Sequence, residues 1–346
     1  MLGLLYRAML LDRSRTLLSV LAVAAAIVLV VVLEGFKVGL WQQIRAYPEH
    51  LPVQLVAVQA GMRNMTAARS VIAANVLDEM QAVTGVREVY PLLGMPVIFS
   101  RGDQKTPIYV IGYEKVGGPW HLKAGRNVSV PGELVMDSAL ARKYGLAVGD
   151  RTELLGKEFR IVGLSAETSS MFNPYLFIGL ADARALFMPN EASGVKADEG
   201  VLSFLLIEAE SQGVALQVRQ SIEAAVPSVD VFTPAELAAN DVAMIRRLMG
   251  SIINLLVAVA YVVGILVIGL TLYTSVFERL REYGIMKAVG ARNSRLYWYV
   301  LVQALAFAVA GFAMGLFASL GVAALITWLA PQYLVIPWDG QVLLRT

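Results

Sequence analysis

Three long apolar runs constrain this chain more than any other feature. Leu17 to Leu33 carries no charge and is rich in Leu, Val and Ala. Leu248 to Phe277 is interrupted only by Asn254 and hydroxyl residues, and Tyr297 to Ala330 has Gln303 as its most polar member. At 1.5 Å per residue, even the shortest run nearly covers a hydrocarbon core of ~30 Å. Each predicts a membrane-spanning helix. The whole chain agrees, being 57% apolar where soluble domains hold about 45–50%. The first run is too long for a signal-peptide core, and Glu34-Gly35-Phe36-Lys37 after it offers no small-residue cleavage site. It reads as an uncleaved anchor. Gly311-Phe-Ala-Met-Gly315 in the third run lets helices approach closely. Packing within one chain and contact with a second subunit both remain open.

Other classes are excluded by what the chain lacks. A net charge of +2 without a basic block gives no reason to expect nucleic acid. There are no cysteines, hence no disulfide, thiol nucleophile or Cys-based zinc site. The two histidines, His50 and His121, stand far apart without a cluster of partners. Gly156-Lys157 is followed by Glu158 and lacks the upstream glycine of a phosphate-binding loop. No cofactor and no catalytic group is expected, and ATP would have to be handled by another chain.

Basic residues set the orientation. Arg7, Arg13 and Arg15 precede the first run, and five basic residues fill residues 278–296 between the second and third. Both segments are cytoplasmic by the positive-inside rule. Residues 38–245 then lie outside, and Arg246 and Arg247 run against the trend there. Residues 1–16 start with a stretch, 1–13, that can lie along the inner leaflet as an amphipathic helix. Glu34 and Lys37 read as an exposed pair of little energetic weight. The spans cover 17–37, 248–277 and 297–330, and 331–346 forms an outer segment with a turn at Pro337 to Gly340.

The outer region is mixed α and β. Val38 to Ala46 continues the first helix until Pro48. Thr233-Pro234-Ala235-Glu236 supplies a cap, a first-turn proline and a capping box. With no proline from there to Phe277, one helix of roughly 65 Å is expected. Residues 38–47 and 234–247 would be helical stalks. Between them, Val53 to Val58 reads as a strand, and Asn75 caps a helix through Val83. Val86 to Tyr90 is a strand, and Gly102-Asp103 turns a hairpin. The strand-helix-strand plan recurs over Val201 to Phe232. Residues 50–112 and 200–233 are expected to form one split α/β layer, with 113–199 as an inserted lobe. In that lobe Asp137 caps a helix ending at Gly145, and TELL and FRIVGL pair across Gly156-Lys157. MFNPYLF, residues 171–177, reads as lobe core rather than the lining of an apolar groove.

The segment Glu278 to Leu296, ERLREYGIMKAVGARNSRL, resembles the cytoplasmic loop of the MacB/FtsX-type ABC transporter permeases. The likeness lies in Glu278-Arg279, Arg281-Glu282, Gly284-Ile285 and Ala288-Val289-Gly290-Ala291. Arg13 to Leu18 is similar to the family's entry, and Gly125-Arg126 with residues 132–164 resembles its extracytoplasmic core domain. Within the family it looks closest to the single-core-domain branch with DevC-like and haem-exporting HrtB-like members. The resemblance implies a multi-pass α-helical membrane protein with a large extracytoplasmic α+β domain on helical stalks, in a bacterial inner membrane. It implies two copies of the permease, membrane lipid around them, a cytoplasmic ABC ATPase as partner and, in some members, a membrane-fusion or periplasmic adaptor. Coupling to the ATPase is then expected of Glu278, Arg281, Glu282, Gly284, Ile285, Met286, Lys287, Val289, Gly290 and Ala291. Some members export amphipathic or lipophilic compounds; others only transmit force to an extracytoplasmic hydrolase. The composition agrees with docking: a basic loop against anionic lipid explains the charges but not the apolar residues among them. Arg281 to Gly284 is expected to make the turn off the membrane. The family has a fourth span; here it is absent, and a truncated chain is expected.

Overall fold

The computed structural model describes residues 13–65, 70–168, 174–187 and 200–329. Residues 1–12 of the expected interfacial helix, Met171 to Asn173 and the outer segment 331–346 lie outside the described residues. In chain order, helix α1 (Arg13–Glu49) leads to strand β1 (Leu55–Gln59), strand β2 (Ile72–Ala73) and helix α2 (Val76–Gln81). Strands β3 (Val86–Arg101), β4 (Gln104–Tyr113), β5 (Leu122–Gly125) and β6 (Glu133–Asp137) follow, then helix α3 (Ser138–Tyr144). Next come β7 (Arg151–Leu154), β8 (Lys157–Ser165), β9 (Tyr175–Gly179) and helix α4 (Leu180–Phe187). Then β10 (Val201–Leu202), β11 (Phe204–Ala209), helix α5 (Ala215–Ala225) and β12 (Val229–Phe232) complete the outer region. Helices α6 (Pro234–Glu278), α7 (Leu280–Ala288) and α8 (Asn293–Leu329) follow. The chain divides into two compact units, one spanning Leu40–Leu248 and the other holding the apolar helical segments on either side of it.

In the apolar unit, α1, α6 and α8 are each long and apolar enough to cross a membrane. The GxxxG stripe packs within the chain. A Cβ on Gly311 would stand 2.5 Å from Val23 Cγ1, and one on Gly315 would stand 2.8 Å from the Ala24 carbonyl oxygen. Only glycine lets α8 lie this close to α1. Glu34 departs from the expected exposed pair. It accepts from Lys37 at 3.1 Å, but its residue is only 7% exposed and the Tyr261 hydroxyl of α6 also donates to it. The second helix covers a carboxylate that sequence spacing alone leaves in solvent.

In the Leu40–Leu248 unit, the one expected to lie outside, one sheet runs β12-β1-β11-β3-β4-β9-β6-β8-β5, with β7 paired to β8. The two strand-helix-strand units do form one layer, β12-β1-β11-β3 with α2 and α5. Val76 and Met80 of α2 and Val218 and Ile222 of α5 share one core cluster. Residues 113–199 do not stand apart as a lobe, however. The sixteen-residue strand β3 pairs with β11 along its first half and with β4 along its second. Strand β4 then pairs in parallel with β9, from Tyr109↔Tyr175 to Tyr113↔Gly179. A parallel partner comes from far along the chain, so no local turn signal announces it.

The pleat sorts the core into two faces. Leu55 and Ala57 of β1 join the cluster under α2, α3, α4 and α5, whereas Val56 and Val58 join a second cluster with Tyr47, Leu51 and Leu237. The second face is thus closed by the last turns of α1 and the first turns of α6. Tyr175 and Phe177 are core, as expected of that segment. Asp137 caps α3, accepting from the Ala139 and Leu140 amides, and Gly145 ends it at φ 64°. Asn75 does not cap α2. Its backbone is already helical and its side-chain amide donates to Glu79 instead.

Candidate functional site

The site is built where α6 stops. The helix begins with both halves of its capping box made: the Thr233 amide donates to Glu236 Oε2 at 2.7 Å, and the Glu236 amide donates to Thr233 Oγ1 at 3.2 Å. It then runs unbroken for 45 residues. The break falls at Arg279, whose φ of −101° and ψ of 9° leave helical values. Its amide donates to the Val276 carbonyl at 3.1 Å, a tightened last turn. The turn expected over Arg281 to Gly284 therefore lies earlier. Gly284 sits inside α7, where a Cβ would meet nothing within 4 Å. Glycine permits a bend, but the backbone hydrogen bonds of α7 leave no reason for one there.

The end of α7 explains two of the residues singled out from sequence. Gly290 has φ 93°, its amide donates to the Lys287 carbonyl at 3.0 Å, and the Ala291 amide donates to the Met286 carbonyl at 3.0 Å. This bond pair is the Schellman stop, which needs a left-handed residue after the cap and so favours glycine. Gly290 and Ala291 thus define where α7 ends. Glu282 in the first turn and Lys287 in the last complement the helix dipole.

The faces of α7 differ sharply. Ile285 is 58% and Val289 84% exposed, one helical turn apart; Leu280, also exposed at 52%, lies about 140° around the helix from Ile285. Glu278, Arg281, Glu282 and Lys287 are exposed around them, and Met286 is half-buried. On the opposite side Tyr283 is buried. Its ring meets Tyr299 of α8 edge-on at 6.0 Å, and its hydroxyl donates to Gln303 Oε1 at 3.5 Å. Gln303 Nε2 in turn donates to Ser275 Oγ of α6 at 2.8 Å. Tyr283 was not among the residues the motif pointed to. The signal for it was present: one aromatic in an otherwise charged and aliphatic helix, with a lone amide in the run that follows.

Among the described residues no group of three or more His, Cys, Asp or Glu is placed to hold a metal ion. The arrangement offers contact rather than bond-making chemistry: a short, well-stopped helix showing aliphatic side chains ringed by charge.

Comparison with known proteins bears on both units. Residues 16–225 match the family described as MacB-like periplasmic core domain, and residues 254–341 match FtsX-like permease C-terminal. An uncharacterised ABC transporter permease of Mycobacterium tuberculosis (strain H37Rv) is 23% identical over 96% of this chain and 88% of its own. The macrolide export ATP-binding/permease protein MacB of Nitrosomonas europaea is 22% identical over 94% of this chain and 52% of its own. The solved periplasmic region of MacB from Actinobacillus actinomycetemcomitans superposes with a TM-score of 0.41, at 10% identity over 57% of this chain and 97% of that one.

Proposed function

The chain belongs to the MacB-like periplasmic core domain family and is an ABC transporter permease of the MacB/FtsX type, and on that premise we propose that it is the permease subunit of an ATP-driven exporter. A separate cytoplasmic ATPase hydrolyses the ATP and docks on α7. Ile285 and Val289 fill an apolar recess on the ATPase; Glu278, Arg281, Glu282 and Lys287 set its register by charge. Gly284 keeps the helix surface low, and Met286 backs the ridge. Gly290 and Ala291 fix its length. The observation that carries this reading is the exposure of Val289, 84% in a helix whose other face is held by Tyr283. An aliphatic ridge outside the lipid-length segments has no reason to face water unless a partner covers it.

In this proposal the chain sits in a bacterial inner membrane with α7 in the cytoplasm and Leu40–Leu248 outside. It works as a pair of copies within lipid, and an adaptor outside can extend the route. The cargo is an amphipathic or lipophilic compound. Support for the outward transmission is the continuity of α6, which carries the Thr233 cap at one end and the Arg279 break at the other.

The test is co-purification with a co-expressed ABC ATPase subunit from the same organism. Ile285→Asp and Val289→Asp are expected to lower retained ATPase at least tenfold while the permease stays folded; unchanged retention in the double variant overturns the docking site. In proteoliposomes of the pair, lipophilic compounds are expected to raise ATP turnover. Absence of stimulation, together with capture of an extracytoplasmic hydrolase, would replace the exporter by a force-transmitting permease.

A further inference from the structure

We propose that Gln303 is a positioning residue that clamps the break between α6 and α7, and so sets the angle at which force applied to α7 enters α6. This rests on the docking role of α7 given above. Its evidence is separate and lies on the other face of the helix.

Tyr283 is the buried side chain of α7; Leu280, Ile285 and Val289 all face outward. Met286 beside it is only half-buried, so the deepest attachment of α7 to the helices beside it is Tyr283. That side chain reaches Tyr299 with its ring and Gln303 with its hydroxyl. Gln303 is 3% exposed, in a run otherwise apolar enough to cross a membrane. An amide buried there is unfavourable unless both its halves are matched. The NH2 donates to Ser275 at 2.8 Å, and the carbonyl faces the Tyr283 hydroxyl at 3.5 Å, a long contact that a small movement of α7 would tighten or break. Ser275 lies four residues before the break at Arg279, and Tyr283 four residues after it. One amide on α8 thus holds both sides of a one-residue interruption.

Leucine or methionine would fill the same volume without a desolvation cost. Packing alone does not call for glutamine. An amide, unlike an alkyl chain, has few orientations that satisfy a donor on one side and an acceptor on the other. It converts a loose joint at Arg279 into a fixed one. Without it, motion of α7 would be absorbed as bending at the joint, and α6 would not feel it. The best-attested use of buried polar groups is to specify one geometry rather than to add stability, and this placement fits that use.

The chain has no cysteine, so the joint can be measured directly. Spin labels at Leu270→Cys and Lys287→Cys lie on α6 and α7, about 25 Å apart along the helix rise. The parent is expected to give a narrow distance distribution. Gln303→Leu is expected to broaden it at least twofold, and Tyr283→Phe, which keeps the ring on Tyr299, to broaden it less. Gln303→Glu, protonated in apolar surroundings, keeps one donor and one acceptor and is expected to return the narrow distribution. In the complex, Gln303→Leu is expected to retain ATPase within twofold of the parent while losing at least fivefold of the cargo-stimulated turnover. An unchanged distance width in both Gln303→Leu and Tyr283→Phe overturns the clamp. If the width changes but Ile285→Asp and Val289→Asp leave the ATPase bound, the clamp stands and the docking reading falls.

Discussion

The two ends of α6 are built on opposite principles. The outer end is held redundantly. Its capping box is closed, and Arg219 adds ion pairs to Glu236 at 3.0 Å and Glu223 at 3.3 Å. Asp241 accepts from the buried Met65 amide at 3.0 Å, and Leu237 and Ala238 are fully buried. The neighbouring last turns of α1 are fixed as firmly, with the Tyr47 hydroxyl donating to the Gly117 carbonyl at 2.8 Å and Arg246 stacked over Trp41. The inner end has a tightened turn, one amide bridge and a helix whose aliphatic side chains face outward. An end anchored many times over moves as part of its domain. An end with few points of attachment can be repositioned by whatever takes hold of its exposed side.

Four substitutions test that contrast. Leu237→Ala removes a fully buried side chain from the anchored end, and a loss of about 2–5 kcal/mol is expected. Thermal unfolding of the detergent-solubilised protein measures it; a loss below about 1 kcal/mol would mean the outer end is not embedded as described. Thr233→Ala is expected to cost about 1 kcal/mol by the same measurement. The carboxylate of the same box shapes the acid response. Burial pushes the Glu236 carboxyl up, but the Thr233 amide and Arg219 outweigh it and hold it below the ordinary 4.5. A carboxyl depressed in the folded state contributes fully above its unfolded value and loses that contribution as pH falls below about 4.5. Glu236→Gln is therefore expected to flatten the acid limb of the stability curve; a limb as steep as the parent's would remove Glu236 from the anchor. The smallest effect belongs to Gly284→Ala. It should stabilise α7 by about 0.5–1 kcal/mol, because nothing lies within 4 Å of the added methyl. Hydrogen exchange of the α7 amides reads this, with the outer unit unchanged. Faster exchange would show that α7 is bent at Gly284 after all.

What could be read in the chain beforehand follows the range of the interactions. The capping box at Thr233, the Asp137 cap with its Gly145 stop, and the Gly102-Asp103 hairpin depend on residues a few positions apart, and all formed as expected. The three apolar runs were equally plain, since their length alone decides them. Asn75 shows the limit of local reading: the right residue at the right place donates its amide to Glu79 rather than capping. The parallel β4–β9 pair escaped because its strands lie far apart in sequence, and with it went the idea of a separate lobe. At the site, the motif residues on the exposed face were legible as a mixed apolar and charged segment. Tyr283 and Gln303 stood out as a lone aromatic and a lone amide, but that they meet each other and Ser275 did not, because a three-helix junction is not encoded in spacing.

The sheet order carries a consequence for the birth of the protein. Strand β1 has Val56 opposite Leu206 on one side and Phe232 on the other. Both partners are made some 150 residues later. At roughly 5–20 residues per second of synthesis, β1 waits on the order of ten to thirty seconds for either edge to be occupied. During that interval LVAVQ, residues 55–59, is an unpaired apolar strand of the kind that recruits other chains. The layer around β1 is therefore completed only once β11 and β12 have been made, and its first strand is exposed to other chains until then.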